Sequence, residues 1–225
     1  MTTDTSLVRP SEVRLERVDT RLSRKPSRYE RSLKPVVDRV AALVMLVVLA
    51  PLLAAVAVGV LLTLGRPVLY RQARVGQHGR TFQMLKFRTM KPDRRQAQRN
   101  YEGPDRRRTH KTPHDPRHTP FGRLLREYSL DELPQLWNVV RGDLSLVGPR
   151  PELTAIVDRY ELWQHERHQV KPGLTGLWQV TERGNGLMHE HTDVDLRYVS
   201  TLSWRIDLKI MLLTLPAVLG ARRGA

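Results

Sequence analysis

The run VAALVMLVVLAPLLAAVAVGVLLTL, Val40 to Leu64, holds 25 residues without a charge, and its reading decides the fold. As a straight helix it would be about 37 Å long, enough to cross a hydrocarbon core of about 30 Å. It starts too far into the chain, runs too long and lacks the small-residue cleavage site of a secretory signal. Three readings are open: a single span, a buried helix of a soluble core, and a helix that enters and leaves a bilayer by one face. Pro51 sits near the middle of the run. Proline removes a donor and clashes with the carbonyl four residues earlier, so a kink is expected there. Lys34 and Arg39 precede the run, and Arg66, Arg71 and Arg74 follow it. Positive flanks stay on the cytoplasmic side. A straight span cannot put both ends there, whereas a helix broken at Pro51 can, and this re-entrant reading is the favoured one.

Outward from that run, the 225 residues can hold one domain, or one domain and an appendage. The formal charge of +15 points to polyanionic partners: nucleic acid, anionic lipid or phosphate-bearing substrates. There is no cysteine, which excludes disulfides, thiolate zinc sites and thiol nucleophiles. Residues 1–34 carry nine Lys/Arg against five Asp/Glu. The expected division is a basic, disordered arm at 1–33, a re-entrant membrane helix at 34–66 and a cytoplasmic catalytic domain at 67–225 with amphipathic interfacial helices. The fold class is α+β, a mostly helical, membrane-associated domain with one small β-hairpin.

Within 67–225, Val68–Tyr70 and Phe82–Phe87 read as strands around the turn Gln77–Arg80. Residues 91–126 hold eleven Lys/Arg against four Asp/Glu, a run read either as a solvated loop or as a contact for anionic headgroups. Helices are expected at Phe121–Arg126, at Ser129–Arg141 with Gly142 as the stop, over Leu153–His168, at His191–Ser200 and at Ile206–Leu219. Val170–Val180 reads as a turn and then a strand. The last helix is apolar enough either for a bilayer interface or for the core.

Chemistry concentrates at Asp131 and Glu132. Ser129 and Glu132 fit the capping pattern S-x-x-E, so alone the acids read as a helix cap. Arg126 lies five residues before Asp131, and Arg150 ends the run Val147-Gly148-Pro149-Arg150. A helix N-terminus would keep Asp131 ionised, as a carboxylate nucleophile must be. Glu132 offers the hard oxygen that Mg²⁺ takes together with substrate phosphates. Arginines hold phosphate oxygens bidentately. Together these make a workable phosphoryl-transfer site. The glycines of KPGLTGLWQV match neither a P-loop nor a dinucleotide fingerprint. His165 and His168 read as surface residues.

The chain resembles the bacterial sugar transferase family, the monotopic polyprenyl-phosphate phosphoglycosyl transferases. The resemblance runs from about Lys34 to Leu219 through several motifs in order. These are the Pro-broken apolar run, YRQARVGQHGRTFQMLKFRTM, SLDELPQLWNVVRGDLSLVGPRPE, VKPGLTGLWQV and WRIDLKIMLLT. It implies transfer of a sugar 1-phosphate from a UDP-sugar to undecaprenyl phosphate, with UMP released, at the cytoplasmic face of a bacterial cell membrane. It further implies Asp131 as the nucleophile that forms a covalent phosphosugar, and Glu132 at a Mg²⁺ site. Lys86, Arg126, Arg150 and Arg183 would contact phosphate or nucleotide, and Pro51 would break the re-entrant helix. The partners implied are the UDP-sugar, undecaprenyl phosphate and membrane phospholipid, with no nucleic acid and a homodimer left open. Two departures stand out: Thr181-Glu182-Arg183 replaces the usual Ser-Gly-Arg, and Glu127 takes the place of a basic residue. A silent membrane adaptor or a tethered nucleic-acid binder would need neither the Asp131–Glu132 pair nor the Gly-Pro-Arg-Pro run.

Overall fold

The chain bends by 65° where the apolar run breaks. The computed structural model describes residues 25–91, 117, 119–181 and 191–219. Arg183, residues 1–24 of the arm and most of the basic run after Lys91 lie outside the described residues. Helix α1 spans Lys34–Val48 and is entered through a π-helical turn at Tyr29–Leu33; α2 spans Ala50–Leu64. Pro51 falls in the first turn of α2, where a missing N–H costs no helical bond of that segment. Leu49 donates to the Met45 carbonyl and accepts from the Leu53 amide, so the two helices stay joined at the bend. Among the described residues no single helix is long and apolar enough to cross a membrane; the bent pair together has the length and composition.

Both helices keep apolar side chains outside. Lys34, Asp38 and Ala42 line the buried face of α1, while Val36, Val40, Leu43 and Val44 are exposed. Val47 is 69% exposed and Leu62 of α2 is 80% exposed. A soluble protein seldom leaves so wide an apolar surface uncovered.

Beyond α2 lies an antiparallel hairpin of β1 (Leu69–Val75) and β2 (Thr81–Phe87), with Leu69 opposite Phe87 and Val75 opposite Thr81. His78 and Gly79 at its tip both take positive φ, 54° and 74°. Arg88, next after β2, donates to the carbonyls of Leu64, Gly65 and Arg66. That side chain closes the C-terminus of α2 and ties it to the hairpin.

Three short helical pieces follow the basic run. Helix α3 is Pro120–Glu127, capped by the Thr119 hydroxyl, which accepts from the Gly122 amide at 3.0 Å. A 3₁₀ turn covers Leu130–Glu132, and α4 is Gln135–Arg141, closed by Gly142 at φ 85°. Ser129 to Arg141 is thus not one helix, because Ser129 is left-handed (φ 55°) and Pro134 restarts the chain.

The rest is compactly cross-linked. Strands β3 (Ser145–Val147) and β4 (Gly173–Thr175) pair in parallel, Ser145 with Gly173 and Val147 with Thr175. Of Val170–Val180, expected as a turn and then a strand, Gly173–Thr175 forms the strand, and Leu177–Thr181 turns into helix α6 instead of extending it. Leu153–His168 is likewise not one helix. It divides into α5 (Thr154–Val157) and a 3₁₀ segment, Leu162–Gln169. His165 and His168 stand beside Tyr160 rather than free at the surface, and burial drives the His168 imidazole down to about 3. Helices α7 (Thr192–Thr201) and α8 (Trp204–Leu219) complete the chain. On α8, Asp207 and Ile210 point into the core, while Trp204, Leu208, Met211 and Leu212 point out. The main core gathers Ala42, Leu136, Val139, Leu146, Tyr198, Val199 and Ile210 from α1, α4, β3, α7 and α8, with Leu144 and Val170 from the residues just before β3 and β4.

Candidate active site

The turn at Leu130–Glu132 presents both acids, and their surroundings differ sharply. Glu132 Oε1 accepts from Lys86 Nζ at 2.9 Å and from Arg150 Nη2 at 2.6 Å, and Oε2 accepts from Arg150 Nη1 at 3.3 Å. These cations hold the Glu132 carboxyl far below the usual range, outweighing the burial that would raise it. The capping reading of Ser129 and Glu132 fails: the Ser129 side chain makes no cap bond, and Glu132 pairs with Lys86 and Arg150 instead.

Asp131 is 8% exposed, and among the described residues its carboxylate receives no hydrogen bond and no ion pair. Burial raises its pKa first, and the neighbouring Glu132 charge raises it further. Lys86, Arg126 and Arg150 pull the other way and lose, leaving Asp131 pushed up to about 6. The expected helix-dipole effect does not hold, because the acid lies in a tight turn and is desolvated. At neutral pH it is ionised, unbonded and surrounded by cations. A nucleophilic carboxylate must be ionised with an oxygen free to attack, and the cations beside it suit an incoming phosphate.

Four elements bring these groups together. Lys86 projects from β2 on the same face as Met84. The Asn138 amide, fully buried on α4, docks onto the outer edge of that strand. It accepts from the Leu85 amide at 3.0 Å and donates to the Gln83 carbonyl at 2.8 Å. Arg126 comes from α3, where its Nε donates to Thr89 Oγ1 at 3.0 Å. Gly122 permits that approach, since a Cβ there would stand 1.9 Å from the Thr89 carbonyl oxygen. Arg150 comes from the loop after β3. So Lys86, Arg126, Asp131, Glu132 and Arg150, which lie up to 64 positions apart in the sequence from Lys86 to Arg150, share one place. Pro51 stands apart, at the bend of the helix pair.

Sequence reasoning missed Arg74, Arg167 and Asn138. Arg74 Nη1 donates to the Pro151 carbonyl at 3.1 Å and lies 3.8 Å from Glu152. Burial and then the Arg150 charge push it down to about 10. Its sequence signals were its place in YRQARVG and among the positive flanks of the apolar run, and neither points to Arg150. Among the described residues no group of three or more His, Asp or Glu side chains forms a metal cage.

A buried aspartate beside a half-buried glutamate that is paired with lysine and arginine, the cations brought in by three separate elements, is the kind of centre that handles phosphate groups. The chain matches the family described as bacterial sugar transferase over residues 29–221, and it belongs to that family. A UDP-glucose:undecaprenyl-phosphate glucose-1-phosphate transferase of Caulobacter vibrioides is 45% identical over 200 residues, 83% of this chain and 69% of the relative. The uncharacterized sugar transferase EpsL of Bacillus subtilis is 41% identical over 187 residues, 83% of this chain and 87% of the relative. The undecaprenyl-phosphate galactose phosphotransferase of Salmonella typhimurium is 36% identical over 229 residues, 99% of this chain and 47% of the relative.

Proposed function

We propose that this protein transfers a sugar 1-phosphate from a UDP-sugar to undecaprenyl phosphate, releasing UMP and starting the assembly of an exopolysaccharide or glycoconjugate. Its family and its relatives support a polyprenyl-phosphate sugar-phosphate transferase. The observation that carries the mechanism is the buried Asp131 carboxylate, unbonded among the described residues, beside Lys86, Arg126 and Arg150. An Asp131 oxygen attacks the β-phosphorus. The bond from that phosphorus to the bridging oxygen breaks, and UMP departs with that oxygen. A terminal oxygen of undecaprenyl phosphate then attacks the same phosphorus. The bond to Asp131 breaks, the carboxylate is restored, and the lipid leaves as a diphosphate-linked sugar. Lys86, Arg126 and Arg150 stabilise the charge on the phosphoryl oxygens in both displacements. Arg183, by its motif, is assigned to the same phosphate or nucleotide.

Mg²⁺ is bound through one or two carboxylates and substrate phosphates rather than a full protein cage. Glu132 fits that donor set, because it is ionised and its Oε2 has only the longer 3.3 Å contact with Arg150. Glu132 would hold the ion, which supplies charge neutralisation for the diphosphate when bound.

Purified protein with Mg²⁺, undecaprenyl phosphate and UDP-glucose, UDP-galactose or their N-acetylated analogues should release UMP with at least one sugar. Silence with all of them would sink the reading. Protonated Asp131 cannot attack, and its pKa lies at about 6. The rate should therefore fall about tenfold per pH unit below that point. A profile flat down to pH 4.5 would place the nucleophile elsewhere.

The exposed apolar faces of α1, α2 and α8 support a re-entrant seat in the bacterial cell membrane, with the catalytic domain on the cytoplasmic face. The chain has no cysteine, so Ser32→Cys and Arg66→Cys each create a single label site. Both should react with an impermeant maleimide in inside-out vesicles and in no right-side-out vesicle. Labelling from opposite faces would mean a span.

A further inference from the structure

Four consecutive carbonyls, Pro149 to Glu152, are each tied to a separate donor. Gly173 N donates to Pro149 O at 2.9 Å, and Val75 N donates to Glu152 O at 2.9 Å. The two central carbonyls are held by side chains. Arg167 Nη2 donates to Arg150 O at 2.7 Å, and Arg74 Nη1 donates to Pro151 O at 3.1 Å. The loop that carries Arg150 is thereby fixed along its whole length.

Arg167 is the more deeply buried of the two arginines, 2% exposed. Its Nη2 also lies 2.6 Å from Asp195 Oδ2, and its Nη1 donates to the Tyr160 hydroxyl. A fully buried ion pair returns little net stability, because desolvation offsets the attraction, and an apolar pair of similar volume often does as well. Its Nε even lacks a partner among the described residues. Stability is therefore a poor account of why an arginine stands here. Its aim is a better one: Asp195 on α7 orients Arg167, Arg167 holds the Arg150 backbone, and the Arg150 guanidinium grips Glu132 beside Asp131.

We propose that Arg167, oriented by Asp195 and Tyr160, is a positioning residue of the transfer reaction that acts through Arg150 without touching substrate. This rests on the reading of Asp131 and Glu132 as the reacting pair and goes beyond it, since Arg167 bonds to neither. Misplacing a charged group by about 1 Å costs on the order of 100-fold in rate, and removing an outer-shell partner typically costs 10–100-fold.

The test uses the full chain in detergent, the UDP-sugar that gives most UMP, and four proteins: wild type, Arg167→Met, Arg150→Ala and the double variant. Arg167→Met should lower kcat about 10- to 100-fold while KM for the UDP-sugar moves less than about threefold. The double variant should be no slower than Arg150→Ala, because both changes remove one path. Arg167→Lys, which keeps one N–H donor for the Arg150 carbonyl, should recover part of the loss. Additive losses, or a folded Arg167→Met with wild-type kcat, would overturn the proposal. Where Arg167→Met does not fold, Arg167→Lys takes its place in the same cycle, with the same two outcomes. Asp131→Ala is run alongside. UMP release surviving that change would mean the reacting pair is misassigned, a failure distinct from additive losses at Arg167.

Discussion

Asp131→Asn is expected to abolish UMP release and to leave the protein more stable. The amide has the shape of the carboxylate but no nucleophilic oxygen, so turnover should fall by on the order of 10⁴-fold or more. The stability gain follows from linkage. Burial and the Glu132 charge raise the Asp131 pKa to about 6, against the pull of Lys86, Arg126 and Arg150. A raised folded pKa means that the fold favours the neutral form. Whatever stability that carboxyl contributes is fully present below the ordinary carboxylate range and is lost as pH rises through about 6. Asparagine stays neutral throughout. At about 1.4 kcal/mol per unit, the shift is worth roughly 2–3 kcal/mol. Thermal unfolding should therefore show the variant several degrees above wild type at pH 8, with the two curves converging near pH 4. An Asp131→Asn protein that keeps most of its activity, or melts lower at pH 8, contradicts this account. The expected trade is the usual one at a reacting centre, where a poorly solvated charge is kept for its chemistry.

The second large effect is expected at Asp207, which among the described residues bonds to none of the groups at the reacting centre. Its carboxylate is 2% exposed and accepts from three sources: Lys34 Nζ at 2.6 Å, Tyr29 Oη at 2.7 Å and Tyr198 Oη at 2.8 Å. These partners come from the entry to α1, the first turn of α1, and α7, so one carboxylate on α8 joins the foot of the apolar helix to the catalytic domain. Asp207→Ala would leave Lys34, itself buried, with only Asp38 at 3.7 Å among the described residues. Removing one partner of a buried ion pair costs about 3–5 kcal/mol. For a chain of this length that is a fall of roughly 10 °C in Tm. Tyr29→Phe removes a single hydrogen bond and should cost about 1 kcal/mol. Equal Tm losses for the two variants would show that the Lys34–Asp207 pair carries no special weight.

Much of the fold was legible because its causes are local. Pro51 breaks its own helix through its own missing donor, so the bend could be read from one residue and its neighbours. His78-Gly79 could be read as a turn, and Gly142 as a helix stop, because positive φ is a property of single residues. The misread stretches failed where distant contacts decide. Glu132 matched a capping pattern that its local sequence permits, yet Lys86 and Arg150 claim both of its oxygens. Arg167 and Asp207 look like surface charges in a row of letters; burial between separate elements turns one into a support for Arg150 and the other into a tie between α1 and α8.

By itself, then, the sequence determined the broken apolar helix, the hairpin, the family and the candidate reacting pair, because each is carried by contiguous residues. The tertiary structure decided which cations meet that pair, that Asp131 is left unbonded with its pKa raised rather than lowered, and which buried arginine holds Arg150. Those outcomes depend on desolvation and on partners 17 to 46 residues away, as for Arg167 with Arg150 and Lys86 with Glu132. A charge pattern does not reveal whether its charges are buried.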